Sequence, residues 1–115
     1  MQYEELEPIS HDEASDTFTR DDDTYATCRS LLRLALHDED WRWTLDQILR
    51  FVRHPNPEVR AVAVSSIGYL VRIHRGIDVS AALPMLYALQ ADSYVATRVR
   101  DTLEDIRQFT STRAA

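Results

Sequence analysis

Between Asn56 and His74 the chain is apolar on almost every side. Val59, Val62, Ala63, Ile67, Leu70 and Ile73 recur at helical spacing, and Ala61, Val64, Gly68 and Val71 cover much of the opposite side. Asn56 suits an N-cap, and Pro57 suits the first helical position, where a missing N–H costs nothing. A helix apolar nearly all round needs neighbours on several sides. At about five turns, and with Ser65, Ser66 and Arg72 along it, this one is too short and too polar to span a membrane. The chain must therefore be organised around it.

The neighbours are helical too. Only two glycines and four prolines interrupt 115 residues, and no stretch alternates strictly between apolar and polar, so no sheet is expected. Ser10 or Asp12 can cap a short first helix reaching Thr19, weakened by Ser15, Asp16 and Thr17. Asp21-Asp22-Asp23 ends it and caps a second helix, Thr24 to His37, with Tyr25, Cys28, Leu31, Leu32, Ala35 and Leu36 as its buried stripe. A third helix, capped by Asp40, runs from Trp41 to Arg53 and buries Trp41, Leu45, Ile48, Leu49 and Val52. His54-Pro55-Asn56-Pro57 separates it from the central helix.

The central helix ends at His74 or Arg75, with Gly76 as a left-handed cap and Ile77 as its apolar contact. A fifth helix follows Asp78 or Ser80, irregular at Pro84, and reaches about Gln90. The sixth, Tyr94 to Phe109, turns Val95, Val99, Leu103, Ile106 and Phe109 inward. Residues 1–10 read as a loose acidic tail, with Leu6 and Ile9 the residues able to touch the first helix, and residues 110–115 as a frayed end. The whole makes one domain over 1–115.

Charge is divided unevenly. Residues 1–40 hold 12 acids and 3 arginines, a balance of −9; residues 41–115 hold 7 acids and 10 arginines, a balance of +3. The sum is −6, and every basic residue is Arg. Phosphate binding needs clustered positive charge, so nucleic acid is not an expected direct partner. An acidic end suits a basic protein instead. No positively charged leader and no long apolar run occurs, so no signal, no anchor and no membrane partner are expected. Cys28 has no second cysteine to pair with, which favours a reducing, cytoplasmic setting.

No constellation for chemistry stands out. His37, His54 and His74 fall near helix C-termini, where they complement the helix dipole; no His pair at i,i+4 and no Cys pair has metal-ligand spacing. Cys28 lies on an apolar stripe and reads as a core thiol. Asp21-Asp22-Asp23 lacks the glycine and spaced oxygens of a calcium loop. Without a phosphate loop or a nucleophile motif, no enzyme, metal or cofactor is expected.

The helices repeat. A shift of 36 residues lays Val59, Ala63, Ile67, Leu70 and Ile73 on Val95, Val99, Leu103, Ile106 and Phe109, and a shift of 35 lays Cys28, Leu32 and Ala35 on Ala63, Ile67 and Leu70. A period in the mid-thirties points to a short α-solenoid of about three antiparallel helix pairs. Pro57-Glu58-Val59-Arg60, then Ala63, then Ile67-Gly68, resembles the second helix of a HEAT repeat. The runs His37 to Trp43, His54 to Arg60 and Leu70 to His74 resemble those of small bacterial HEAT-like proteins. Some of that group are immunity proteins, which neutralise toxins of contact-dependent growth inhibition.

The resemblance implies a non-catalytic protein-binding module. Its second helices would line a concave face. Shifting the exposed stripe of the central helix, Glu58, Ala61, Ser65, Gly68 or Tyr69, and Arg72, predicts Asp23, Ala26, Ser30, Arg33 and His37 on one side of it. On the other side it predicts Tyr94, Thr97, Asp101, Glu104, Asp105 and Gln108. Trp43 shares a side with Gln47 and Arg50, and is either an exposed anchor or packed on the first helix. The expected partner is a toxin with a basic nuclease domain; the alternative is a cytoplasmic HEAT-like adaptor with no toxin.

Overall fold

The computed structural model describes residues 6–111. The described residues form six α-helices and no strand: α1 His11–Arg20, α2 Thr24–His37, α3 Trp41–Leu49, α4 Pro57–Ile73, α5 Leu83–Leu89 and α6 Ala96–Phe109, with a 3₁₀ turn Ser80–Ala82 before α5. They pair as α1 with α2, α3 with α4 and α5 with α6. The second helix of each pair lies in one row, with α4 between α2 and α6 and backed by α3. Three pairs measure only 35 × 32 × 29 Å, a stub of a solenoid.

α4 is enclosed as its sequence demands. Val59, Ala63, Val64, Ile67, Leu70 and Val71 are fully buried. Asn56 caps it, its Oδ1 accepting the Glu58 N–H at 2.9 Å, and Pro57 sits in the first turn. Asp23 and Asp40 cap α2 and α3 by accepting from the Ala26 and Trp43 N–H groups, and Ser10 caps α1 through the Glu13 N–H.

Several expectations change on packing. Residues 6–8 are held down: Arg33 donates to the Glu7 and Pro8 carbonyls at 2.7 and 2.9 Å, and His37 to the Leu6 carbonyl at 2.6 Å. Ile9 is buried. The rest of the expected tail, residues 1–5, and the end of the expected fray, residues 112–115, lie outside the described residues. α3 stops at Leu49 rather than Arg53. The chain then tightens into i→i−3 turns, Phe51 N–H to Ile48 O at 2.9 Å and His54 N–H to Phe51 O at 3.1 Å, which drive Phe51 and Val52 into the core before Pro55.

α6 starts at Ala96, because Asp92 takes the Tyr94 N–H on its side chain and the Val95 N–H on its carbonyl. Gly76 is left-handed, at φ 84°, with Ile77 buried beside it. Its N–H, however, reaches the Phe109 carbonyl at 3.0 Å, tying the end of α4 to the end of α6.

The largest correction is the rotation of α2. Tyr25 is exposed and Cys28, Leu32 and Leu36 are only half-buried, whereas Thr27, Ser30, Leu31, Leu34 and Ala35 are buried. α2 meets α1, α3 and α4, and their combined contact outweighs the side chosen by its most apolar residues. Trp41 and Leu49 are likewise half-buried, and Ile73 is exposed.

Thr27, Thr44 and Ser66 are buried with hydroxyls that find no partner among the described residues. Such a hydroxyl costs roughly 1–3 kcal/mol. Thr44→Val, which keeps the shape and removes the hydroxyl, is expected to raise the urea midpoint. Leu70→Ala is expected to lose about 2–5 kcal/mol, as buried large-to-small changes do. Urea titrations of the two variants beside the parent check both signs.

Candidate functional site

The row of second helices is held in register by polar side chains. On one seam, Asn56 Nδ2 donates to Thr24 Oγ1 at 3.1 Å. On the other, Arg98 donates to Ser65 Oγ at 2.7 Å, Thr102 Oγ1 to the Val64 carbonyl at 3.1 Å, and Arg72 to Asp105 at 3.1 Å. From Ser65 with Arg98 to Arg72 with Asp105 the partners advance along both α4 and α6, so the two helices run parallel.

Gly68 lies beneath this seam. A Cβ there would come within 3.0 Å of Asp105 Oδ2 and 3.5 Å of Thr102 Oγ1, so its bare backbone lets α6 approach.

Two grooves cross the row. One, of about 530 Å³, is walled by Tyr25 and Cys28 of α2, Glu58 and Val62 of α4 and Tyr94 before α6. The other, of about 280 Å³, lies between α4 and α6 among Ser65, Tyr69, Arg72, Asp101 and Asp105. Arg98 lines both and joins them. Tyr25, Tyr69 and Tyr94 are 61%, 38% and 58% exposed, unusual for large rings, and all three stand on these grooves. The carboxylates of Glu58 and Asp101 make no hydrogen bond or ion pair with the described residues. The Cys28 thiol is pushed above its ordinary value, first by burial and then by the negative charge of Glu58.

The structure gathers Glu58, Tyr69, Arg72, Tyr94, Asp101 and Asp105 on this surface, with Asp23 capping α2 at its edge. It departs from the expected stripe at Ser30, Ala61 and Gly68, all buried. Asp105 is also buried, its side chain 13% exposed, and it serves the seam through Arg72. Glu104 turns to the α5 side among Tyr87, Leu103 and Arg107. There the Arg107 guanidinium donates to it and holds its carboxyl below the ordinary value. Arg33 and His37 clamp residues 6–8. Trp43 stacks on His11 of α1, with ring centroids 3.7 Å apart and planes 8° from parallel. Sequence reasoning missed Tyr25 and Arg98. The most apolar side of α2 would turn Tyr25 inward, whereas the side that packs leaves it exposed.

The histidines join distant segments. His11 bonds Asp38 at 2.8 Å, His54 bonds Asp21 at 2.8 Å, and His74 donates to the Asp38 carbonyl at 3.1 Å. Among the described residues no three potential metal ligands cluster. No helix among them is long and apolar enough to cross a membrane.

The HEAT repeat family model matches residues 45–74, the last part of α3 through α4. One HEAT repeat is thus recognisable in the chain, over its central helix pair. The overall fold is similar to that of a chain in the crystal structure of a CDI complex from Cupriavidus taiwanensis. The two are 28% identical with a TM-score of 0.82, covering 95% of this chain and 97% of that one. No curated protein matches the sequence significantly.

The Cys28–Glu58 neighbourhood yields a test of the groove. A thiol reacts as its thiolate, so a raised pKa slows labelling near neutral pH. Glu58→Gln removes the negative charge, lowers the Cys28 pKa and should speed alkylation at pH 8. The pH profile of the alkylation rate should shift downward in the variant, and an unchanged profile would separate the two side chains.

Proposed function

We propose that this chain is a non-catalytic protein-binding module acting as an immunity protein: it binds a cognate toxin and neutralises it. The observation that carries the reading is the end-to-end likeness to a chain of a CDI complex. The surface described above supports it. Tyrosines are enriched at protein interfaces, where a rigid ring brings large contact area at little entropic cost. The grooves between α2, α4 and α6 carry three of them together with the unpaired carboxylates of Glu58 and Asp101.

A net charge of −6 favours a basic partner. A nuclease domain is basic because its substrate is a polyanion, so it is the toxin class we propose. Occlusion then needs no catalytic group on this chain: a bound surface carrying Glu58 and Asp101 covers or flanks the phosphate-binding site.

The test is binding to a candidate toxin domain, sought among the proteins encoded beside this chain, followed kinetically. Association should slow steeply between low and physiological salt, because steering is screened over about 8 Å at physiological ionic strength. Asp101→Arg should slow association. Tyr69→Ala should raise the dissociation rate about ten-fold, which corresponds to about 1.4 kcal/mol. Arg53→Ala, on the turn after α3, should change neither. Failure to bind any co-encoded protein tighter than about micromolar would replace this reading with that of a HEAT-like adaptor.

A further inference from the structure

The larger groove has a chemical bias of its own. Its walls are Tyr25 and Tyr94, exposed rings from α2 and the turn before α6. Its floor is small: Cys28, Ala61 and Val62 leave room for a side chain to enter. Glu58 supplies an exposed carboxylate without a partner among the described residues. The helix start does not require that carboxylate as a cap, because Asn56 already accepts the Glu58 N–H. The ring of Tyr25 already receives one guanidinium, that of Arg29, at 5.7 Å from its centroid.

A carboxylate between two aromatic walls attracts a cation that also has a flat face to stack. Guanidinium meets both demands: it is planar, weakly hydrated and able to bond a carboxylate with two N–H groups. An ammonium meets only the charge. Among the described residues lining the groove the one cation is Arg98, which bonds Ser65 at the junction with the smaller groove and makes no ion pair with Glu58. It leaves the Glu58 end acidic and offers donors to a partner's carbonyl or carboxylate at the other end.

We propose that the groove between Tyr25 and Tyr94 is an arginine-binding clasp. A guanidinium of the protein partner stacks on the tyrosine rings and pairs with Glu58. This rests on the protein-binding reading above and specifies what the partner presents to it.

The experiment uses a probe that does not depend on knowing the partner. The ¹H–¹⁵N spectrum of the full chain is titrated with an acetylated tetra-arginine peptide, and separately with its lysine and citrulline counterparts. The arginine peptide should shift the amides around Cys28, Glu58 and Val62 most. The lysine peptide should bind more weakly there, and the citrulline peptide should leave these amides in place.

Glu58→Gln should weaken the arginine peptide about three-fold, the scale of an exposed charge pair. Tyr94→Ala should do so by about the same factor, the scale of an exposed cation–π contact. Thermal melts of both variants show whether the fold is kept, and Tyr94→Phe should restore binding. Shifts confined to Asp21–Asp23, equal binding of arginine and lysine peptides, or indifference to Glu58→Gln in a folded variant would overturn the clasp. The immunity reading is judged separately, by binding of the co-encoded protein. If that protein binds and is weakened by the Tyr69 change but not by Glu58→Gln or Tyr94→Ala, the clasp falls alone.

Discussion

Everything in this fold follows from the burial of α4. Its apolar residues surround the axis, so one neighbour cannot satisfy it. α2 and α6 take its two flanks and α3 its back. Each flanking helix brings a partner, because it too carries an apolar stripe that needs cover. Three helix pairs are the outcome, and the central pair is the part that matches the HEAT repeat model. In a repeat of this kind no pair closes its own core, and stability depends on interfaces between neighbours.

Polar groups then set the register that apolar packing leaves loose. Arg60 lies where loops from adjacent pairs meet: its guanidinium donates to Asp92 at 3.0 Å and to the His54 and Pro55 carbonyls at 2.9 and 3.1 Å. His54 works on the opposite side of the same loop. Its Nδ1 accepts the Asn56 N–H at 3.0 Å, so its Nε2 carries the proton donated to Asp21. Asp21 reaches that position in a left-handed conformation, at φ 44°, which aspartate tolerates better than most residues. Asp38 similarly receives His11 on its carboxylate and His74 on its carbonyl. The bonds of Arg60 to Asp92, His54 to Asp21 and His74 to Asp38 link residues roughly one repeat apart and fix one pair against the next.

The same arrangement makes the candidate surface. Parallel helices spaced by small residues leave grooves wherever larger side chains part. Gly68 lets α6 approach α4, and Tyr25, Tyr69 and Tyr94 stand up around the depressions. The charges divide by role. Asp105, with Arg72, is absorbed by the seam, while Glu58 and Asp101 make no ion pair among the described residues. A surface of this kind needs no moving part, since the helices that carry it are also the core.

The sequence by itself determined the helical class, the number of helices, the N-caps of the first four, the pairing and the centrality of α4. Each of these depends on local spacing or on a residue's own backbone preference, and both are written in neighbouring residues. Helix ends were less legible: α3 shortened and α6 started late because turns around Phe51 and Asp92 competed with helix continuation. Only the tertiary structure decided how far each helix is rotated about its axis. A stripe shows which residues share a side, but the side that is buried depends on the sum of all contacts. That sum put Thr27 and Ser30 inside α2 and left Tyr25 out. It also decided which charges are spent within the fold, since Asp105 and Glu104 are adjacent in sequence yet face different helices. Pairing with Arg72 across a seam is a long-range event, and no local pattern encodes it.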